Sequence, residues 1–180
     1  MNSDVMIDLE TLDVLPTATI LTIGAVKFDP YSDAEPHSEL YMRLDVEEQT
    51  EMYQRTINDD TLAWWASQPQ AIQDEAFGDH ERVSVAEFVR QLNRWCVGLD
   101  KIWCQGPTFD FVILTDFYRM AQQPCPWNYW QICDSRTLFN LMPSDPRKDI
   151  QANLHNALAD SYYQAKCVQK CYSHLGVVHT

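Results

Sequence analysis

Two acidic residues stand two positions apart inside an apolar run, Val5-Met6-Ile7-Asp8-Leu9-Glu10, and few folds accommodate that arrangement. Alternation along a strand puts Val5, Ile7 and Leu9 on one face and Met6, Asp8 and Glu10 on the other. A run this apolar reads as a central, buried strand, and both carboxylates then project from one face near its carboxyl end. Like charges so close raise each other's pKa, and burial raises it further, unless a cation compensates. A divalent metal ion is the natural compensation.

The remaining pattern supplies a sheet around that strand. Thr19 to Phe28 is β-branched and apolar and follows a Pro-containing turn, and Leu40 to Leu44 reads as a third strand. From Asn58 the period becomes helical through Leu62, Trp65, Ile72 and Phe77, with Pro69 as a break. Ser84 is suited to cap a helix with the stripe Phe88, Leu92, Trp95 and Cys96, ended by Gly98. A strand over Lys101 to Cys104, a helix over Asp110 to Met120, a strand near Trp130 to Cys133, a helix over Ser135 to Leu141 and a long helix over Asn156 to Leu175 follow. The expected fold class is α/β: a mixed five-stranded sheet, three antiparallel strands and then two parallel ones, flanked by helices. Its crevice is expected at the carboxyl ends of the central strands. With 180 residues, 46% of them hydrophobic, and neither repeat nor linker, residues 1–180 are expected to form a single domain.

The six cysteines lie scattered without a Cys-x-x-Cys pair, and no signal peptide precedes them, so reduced thiols and a cytoplasmic location are expected. Cys167 and Cys171, one helical turn apart, read as apolar filling, since no second Cys/His pair at zinc spacing follows. No apolar run approaches the ~20 residues that span a bilayer, so no membrane partner is expected. The net charge of −13 argues against a long duplex footprint, because affinity for a phosphate backbone comes from clustered Lys and Arg. It weighs less against an enzyme that grips a chain end, where bound cations bring positive charge.

Two further motifs carry candidate chemistry. Gly106-Pro107-Thr108-Phe109-Asp110 delivers a carboxylate at a tight turn from strand to helix, where Asp110 could also serve as a simple cap. His155 precedes Asp160 by five residues, a separation that does not share a helix face. With Asn156 as N-cap, His155 lies on the preceding loop and Asp160 in the first turns of the helix. That arrangement pairs a base on a loop with a ligand on a rigid element.

Asp-x-Glu-Thr at Asp8 to Thr11, Phe109-Asp110, and His155-x4-Asp160 together resemble the DEDDh 3′ to 5′ exonuclease superfamily in identity, order and spacing. The chain looks most like the branch containing a T-even phage exonuclease and a mycobacterial exoribonuclease, through Thr61-Leu62-Ala63-Trp64-Trp65 and Tyr163-Gln164-Ala165. The resemblance implies a ribonuclease H-like fold and a metal-dependent exonuclease that releases nucleoside 5′-monophosphates from the 3′ ends of single-stranded DNA or RNA. It implies that Asp8, Glu10, Asp110 and Asp160 hold two Mg²⁺ or Mn²⁺ ions, for which hard oxygen ligands are suited, with Glu10 and His155 as catalytic residues and His155 as general base. Thr11 and Leu12 would hold and separate the terminal nucleotides. Trp64, Trp65 and Phe109 are candidates to stack a base, one tryptophan buried and the other lining the groove. Relatives of this kind are often dimers, so a homodimer is a further expectation. Ser161 departs from the Ala that many relatives carry after the last metal Asp. Arg136, Arg147, Lys148, Lys166 and Lys170 are the few basic candidates for substrate phosphates.

Two other readings compete. A nuclease of short oligonucleotides or nucleotide signals would suit the acidic balance. A catalytically silent interaction domain would have little reason to keep carboxylates that destabilise one another.

Overall fold

A computed structural model describes residues 3–148 and 155–179. Strand β1 (Ser3–Thr11) lies in the middle of the sheet, antiparallel to β2 (Ile20–Phe28), which pairs with β3 (His37–Leu44). On its other side β1 runs parallel to β5 (Leu99–Cys104), and β5 parallel to β6 (Ile132–Asp134). A two-residue strand, β4 (Arg82–Val83), adds to β3 in parallel, giving the order β4-β3-β2-β1-β5-β6. Among the described residues the sheet thus has six strands where the pattern predicted five. Two residues are too few to show a period, and β4 is recognisable only through its pairing.

Helices form where their caps predict. The Asn58 side chain accepts from the amides of Asp60 and Thr61 and opens α1 (Asp59–Ala66), and α2 (Gln70–Phe77) restarts after Pro69. Ser84 caps α3 (Val85–Trp95), and Gly98 takes up φ +78 beyond its end. Asp134 caps α5 (Ser135–Asn140), and Asn156 caps α6 (Ala157–Leu175) by accepting from Ala159 N. Helix α4 (Asp110–Met120) has Phe109 in its cap position without a side-chain cap, so Asp110 is its first residue and not its cap. Trp130, expected in a strand, belongs to a short 3-10 turn at Tyr129–Gln131, and β6 starts only at Ile132.

The two faces of the sheet are both covered. Val5, Ile7 and Leu9 pack with Phe88, Leu92, Leu114 and Phe117 of α3 and α4. Met6, Val26, Phe28 and Trp103 pack on the opposite face with Ala165, Val168 and Cys171 of α6. Cys167 and Cys171 are buried there, and burial pushes their thiols up to about 12 and about 11, as expected of apolar filling. Among the described residues no helix is long and apolar enough to cross a membrane.

Candidate active site

The crevice opens where β1 outruns β5. The pair is in register as far as Met6 and Trp103, after which β5 ends at Cys104 and the chain turns away at Gly106, φ +107. The Leu9 amide, on the stretch of β1 beyond that register, donates instead to Asp110 Oδ1 at 3.2 Å. A register shift at Glu10 and Thr11 against β2 re-aims the strand end, a common device beside reactive sites. The motif carboxylate of α4 is therefore tied directly to the strand that bears Asp8 and Glu10.

The fourth carboxylate comes from α6, and a missing side chain lets it in. Gly24 pairs with Asp8 across β1 and β2, and a Cβ there would lie 2.1 Å from the backbone of Ala157 and Leu158. Only glycine lets the first turn of α6 press so closely on the sheet. Ser161 secures the contact by donating from Oγ to Gly24 O at 2.9 Å, which accounts for a hydroxyl at that position.

Ligand oxygens of Asp8, Glu10 and Asp160 all lie within 4.8 Å of one another. Asp110 stands beside them, close enough to push up both Asp8 and Glu10. Burial raises all four: Asp8 well above the usual carboxylate range, Glu10 to about 8, Asp110 to about 7, and Asp160 upward although the backbone amides of His155 and Asn156 hold it down. The donor set is all oxygen, crowded and short of countercharge. Such a set fits a hard divalent cation.

His155 sits just ahead of Asn156 at φ +67, a left-handed conformation, and its backbone N–H donates to Asp160 Oδ2 at 2.9 Å. Its ring meets the Trp64 ring edge-on, with centroids 4.9 Å apart. The tandem tryptophans divide as expected. Trp65 is buried and donates from Nε1 to Thr11 O at 3.0 Å, pinning the end of β1, while Trp64 is 41% exposed. A cleft of about 430 Å³ runs from Glu10 past Thr11 and Val14 to Trp64 and Phe109, with Asn58 and Thr61 along its wall.

Leu12 lies elsewhere than expected. It is buried against Leu21, Trp65 and Ala76, and the exposed apolar side chain at the cleft is that of Val14. The bulge at Glu10 and Thr11 shifts the alternation by which Leu12 would have faced outward.

Gln164 was not foreseen as a site residue. It is buried on α6, donates from Nε2 to Asp8 Oδ1 at 3.1 Å, and keeps a buried Oε1 without a partner among the described residues. Its signal was its place one helical turn beyond Asp160, on the same face. Among the basic candidates, Arg136 lies over Gly106, where its charge lowers the pKa of Asp110. Arg147 and Lys166 are engaged by Asp145 and Glu35.

A family model of the Rv2179c-like 3′-5′ exoribonuclease domain matches residues 3–172. The chain belongs to that family. The chain is 29% identical over 132 residues to the exodeoxyribonuclease of Enterobacteria phage T4, a match covering 67% of this chain and 57% of the phage protein. The chain thus spans a little over half the length of that relative. Its fold is that of E. coli Exonuclease I, solved with a dT13 oligonucleotide, at TM-score 0.68 and 15% identity over 98% of this chain and 43% of the other. Exonuclease X, solved with 5′ overhanging duplex DNA, superposes at TM-score 0.62 and 14% identity, covering 97% of this chain and 94% of the other. The DEDD exonuclease superfamily and its ribonuclease H-like fold, expected from the motifs, are both met.

Proposed function

We propose that this chain is a 3′ to 5′ exonuclease that hydrolyses the terminal phosphodiester bond of single-stranded nucleic acid and releases nucleoside 5′-monophosphates. The observation that carries this reading is the convergence of Asp8, Glu10 and Asp160 within 4.8 Å beside Asp110, at the end of an aromatic-lined cleft. Asp8, Glu10, Asp110 and Asp160 would hold two Mg²⁺ or Mn²⁺ ions. When bound, these supply Lewis acidity and countercharge to the reacting phosphate.

The chain's own groups do the rest. Trp64 and Phe109 flank the space for the terminal base, with Thr11 in the same wall. His155 takes the proton of the attacking water on an imidazole nitrogen, its loop held to Asp160 through the backbone and its ring set against Trp64. Water adds to phosphorus, the bond to the 3′ oxygen breaks, and that oxygen acquires a proton as the shortened strand leaves.

Matched 5′-labelled single-stranded DNA and RNA, incubated with Mg²⁺, Mn²⁺ or EDTA, test the reading. A metal-dependent ladder that shortens from the 3′ end, and that Asp8→Ala abolishes, is the expected result. No cleavage of either strand by the wild type with either ion would overturn it. A second reading, action on very short oligonucleotides, is favoured by the net charge of −13 and by a cleft of about 430 Å³, room for little more than the terminal residues. Cleavage of dinucleotides but not of long strands would select it.

A further inference from the structure

Each aspartate of the cluster accepts from an N–H that lies outside its own side chain and neighbours, and two of these donors are backbone. Asp110 Oδ1 accepts from the Leu9 amide at 3.2 Å, and Asp160 Oδ2 from the His155 amide at 2.9 Å. Both donors are placed by the course of the chain. Asp8 lies inside β1 opposite Gly24, and the N–H given to its Oδ1 at 3.1 Å comes from a side chain, Gln164 Nε2 of α6. An aspartate carboxylate rotates over a broad range about its last bond, and a donor fixed on one oxygen narrows that range.

Stability alone does not account for Gln164. The side chain is buried, and its Oε1, shut off from solvent, has no partner among the described residues. Its orientation follows from Asp8. An ionised carboxylate only accepts, so the amide turns its N–H toward Asp8 and its oxygen away. An acceptor left unmet in the interior is destabilising. Methionine, unbranched and of similar length, would fill such a space without an unmet acceptor. What methionine lacks is the N–H that holds Asp8.

Gln164 also follows Asp160 by one helical turn, on the same face of α6. A single rigid element thus carries one carboxylate of the cluster and the donor to another. The close seat of α6 on Gly24, secured by Ser161, sets the position of both. We propose that Gln164 is a positioning residue for the metal site: its N–H fixes the plane of the Asp8 carboxylate, so that Asp8 is already set when a divalent cation arrives. The proposal rests on the reading of Asp8, Glu10, Asp110 and Asp160 as metal ligands. Removing a group that holds a ligating carboxylate typically weakens metal binding by about tenfold to a hundredfold.

Gln164→Met is compared with wild type by scanning calorimetry without metal and by calorimetric titration with Mn²⁺. Val168→Ala, which trims a buried apolar side chain of the same helix, is the control. Gln164→Met is expected to melt no lower than wild type and to bind Mn²⁺ about tenfold or more weakly. Val168→Ala is expected to melt lower and to bind Mn²⁺ as wild type does. Trimming of 5′-labelled single-stranded DNA by Gln164→Met falls at limiting Mn²⁺ and recovers in excess, since Gln164 does not line the cleft. Unchanged Mn²⁺ affinity in Gln164→Met overturns the proposal. An equal loss of affinity in Val168→Ala does so too, because affinity would then follow the stability of α6. A Gln164→Met protein that melts well below wild type shows that the amide serves the fold, with the same consequence. A wild type that binds Mn²⁺ more tightly than Gln164→Met yet cleaves no strand leaves Gln164 in its role and sinks the exonuclease reading instead.

Discussion

Replacing Asp8 by Asn, or Glu10 by Gln, removes a charge from a cluster in which every member is pushed up by burial. Each change is therefore expected to raise the melting temperature of the metal-free protein while abolishing the increase expected from Mn²⁺ in the wild type. Differential scanning calorimetry with and without Mn²⁺ reads both at once, and a variant less stable than wild type without metal would contradict the account. Asp4 offers a check away from the site. It is buried, accepts from Trp103 Nε1 at 2.8 Å, and burial lifts it to about 6. Because the folded value exceeds the unfolded one, its stabilising contribution is full below about 3.8 and is lost as pH rises through about 6. Asp4→Asn is expected to stabilise the protein by roughly 2–3 kcal/mol at pH 7 and not at pH 3.5, as urea titrations at the two values would show. Asp8 and Glu10 were legible in the sequence because acids are rare on an apolar alternating strand. Gln164 was not, since an uncharged amide on a helix carries no mark until a carboxylate is seen against it.

At the scale of elements, the seating of α6 on β2 sets the distance from Asp160 to Asp8. Gly24→Ala would place a methyl carbon into the backbone of Ala157 and Leu158, and no flexible side chain is there to yield. The expected cost is at least 1–3 kcal/mol, with a larger proportional loss in Mn²⁺ affinity, measurable by calorimetric titration. A Gly24→Ala protein with unchanged metal affinity would show that α6 does not set the site. Asn156→Ala removes the cap that starts the same helix and is expected to cost about 1 kcal/mol in stability. Caps were what made the helices readable: Asn58, Ser84 and Asn156 each open the helix assigned to them. Strand ends were harder. Trp130 is apolar and β-prone, yet the chain coils there before β6, and β4 exists only by virtue of its neighbour β3. The burial of Leu12 belongs to the same class, because a bulge that breaks alternation leaves no trace in a pattern that assumes it.

For the whole molecule, the acidic site adds to a general pH response. Without metal, the favourable contributions of Asp4, Asp110 and Glu10 fade in turn as pH rises through about 6, about 7 and about 8. The metal-free protein is therefore expected to be more stable near pH 5 than near pH 8. Saturating Mn²⁺ is expected to reverse much of the difference, because an ion that binds only the folded state adds stability through mass action. Melting curves over that range, with EDTA and with Mn²⁺, would expose a flat profile if the carboxylates were solvated instead. The layered α/β plan and the position of its crevice were legible from the order of periodic segments. The tie between the Pro16 loop and α4 was not, because it depends on Arg55 bridging segments far apart in the chain.

Asp8 and Asp160 meet across 152 positions, since α6 closes a site that β1 opened. On the ribosome, the strand with the first two carboxylates is made first, and the helix that completes the set follows only after about 150 further residues have been joined. Until α6 is made, the nascent chain lacks the oxygen that closes the cluster, while it is tethered beside the messenger that encodes it. The order of translation thus delays assembly of the carboxylate cluster until α6 has been made.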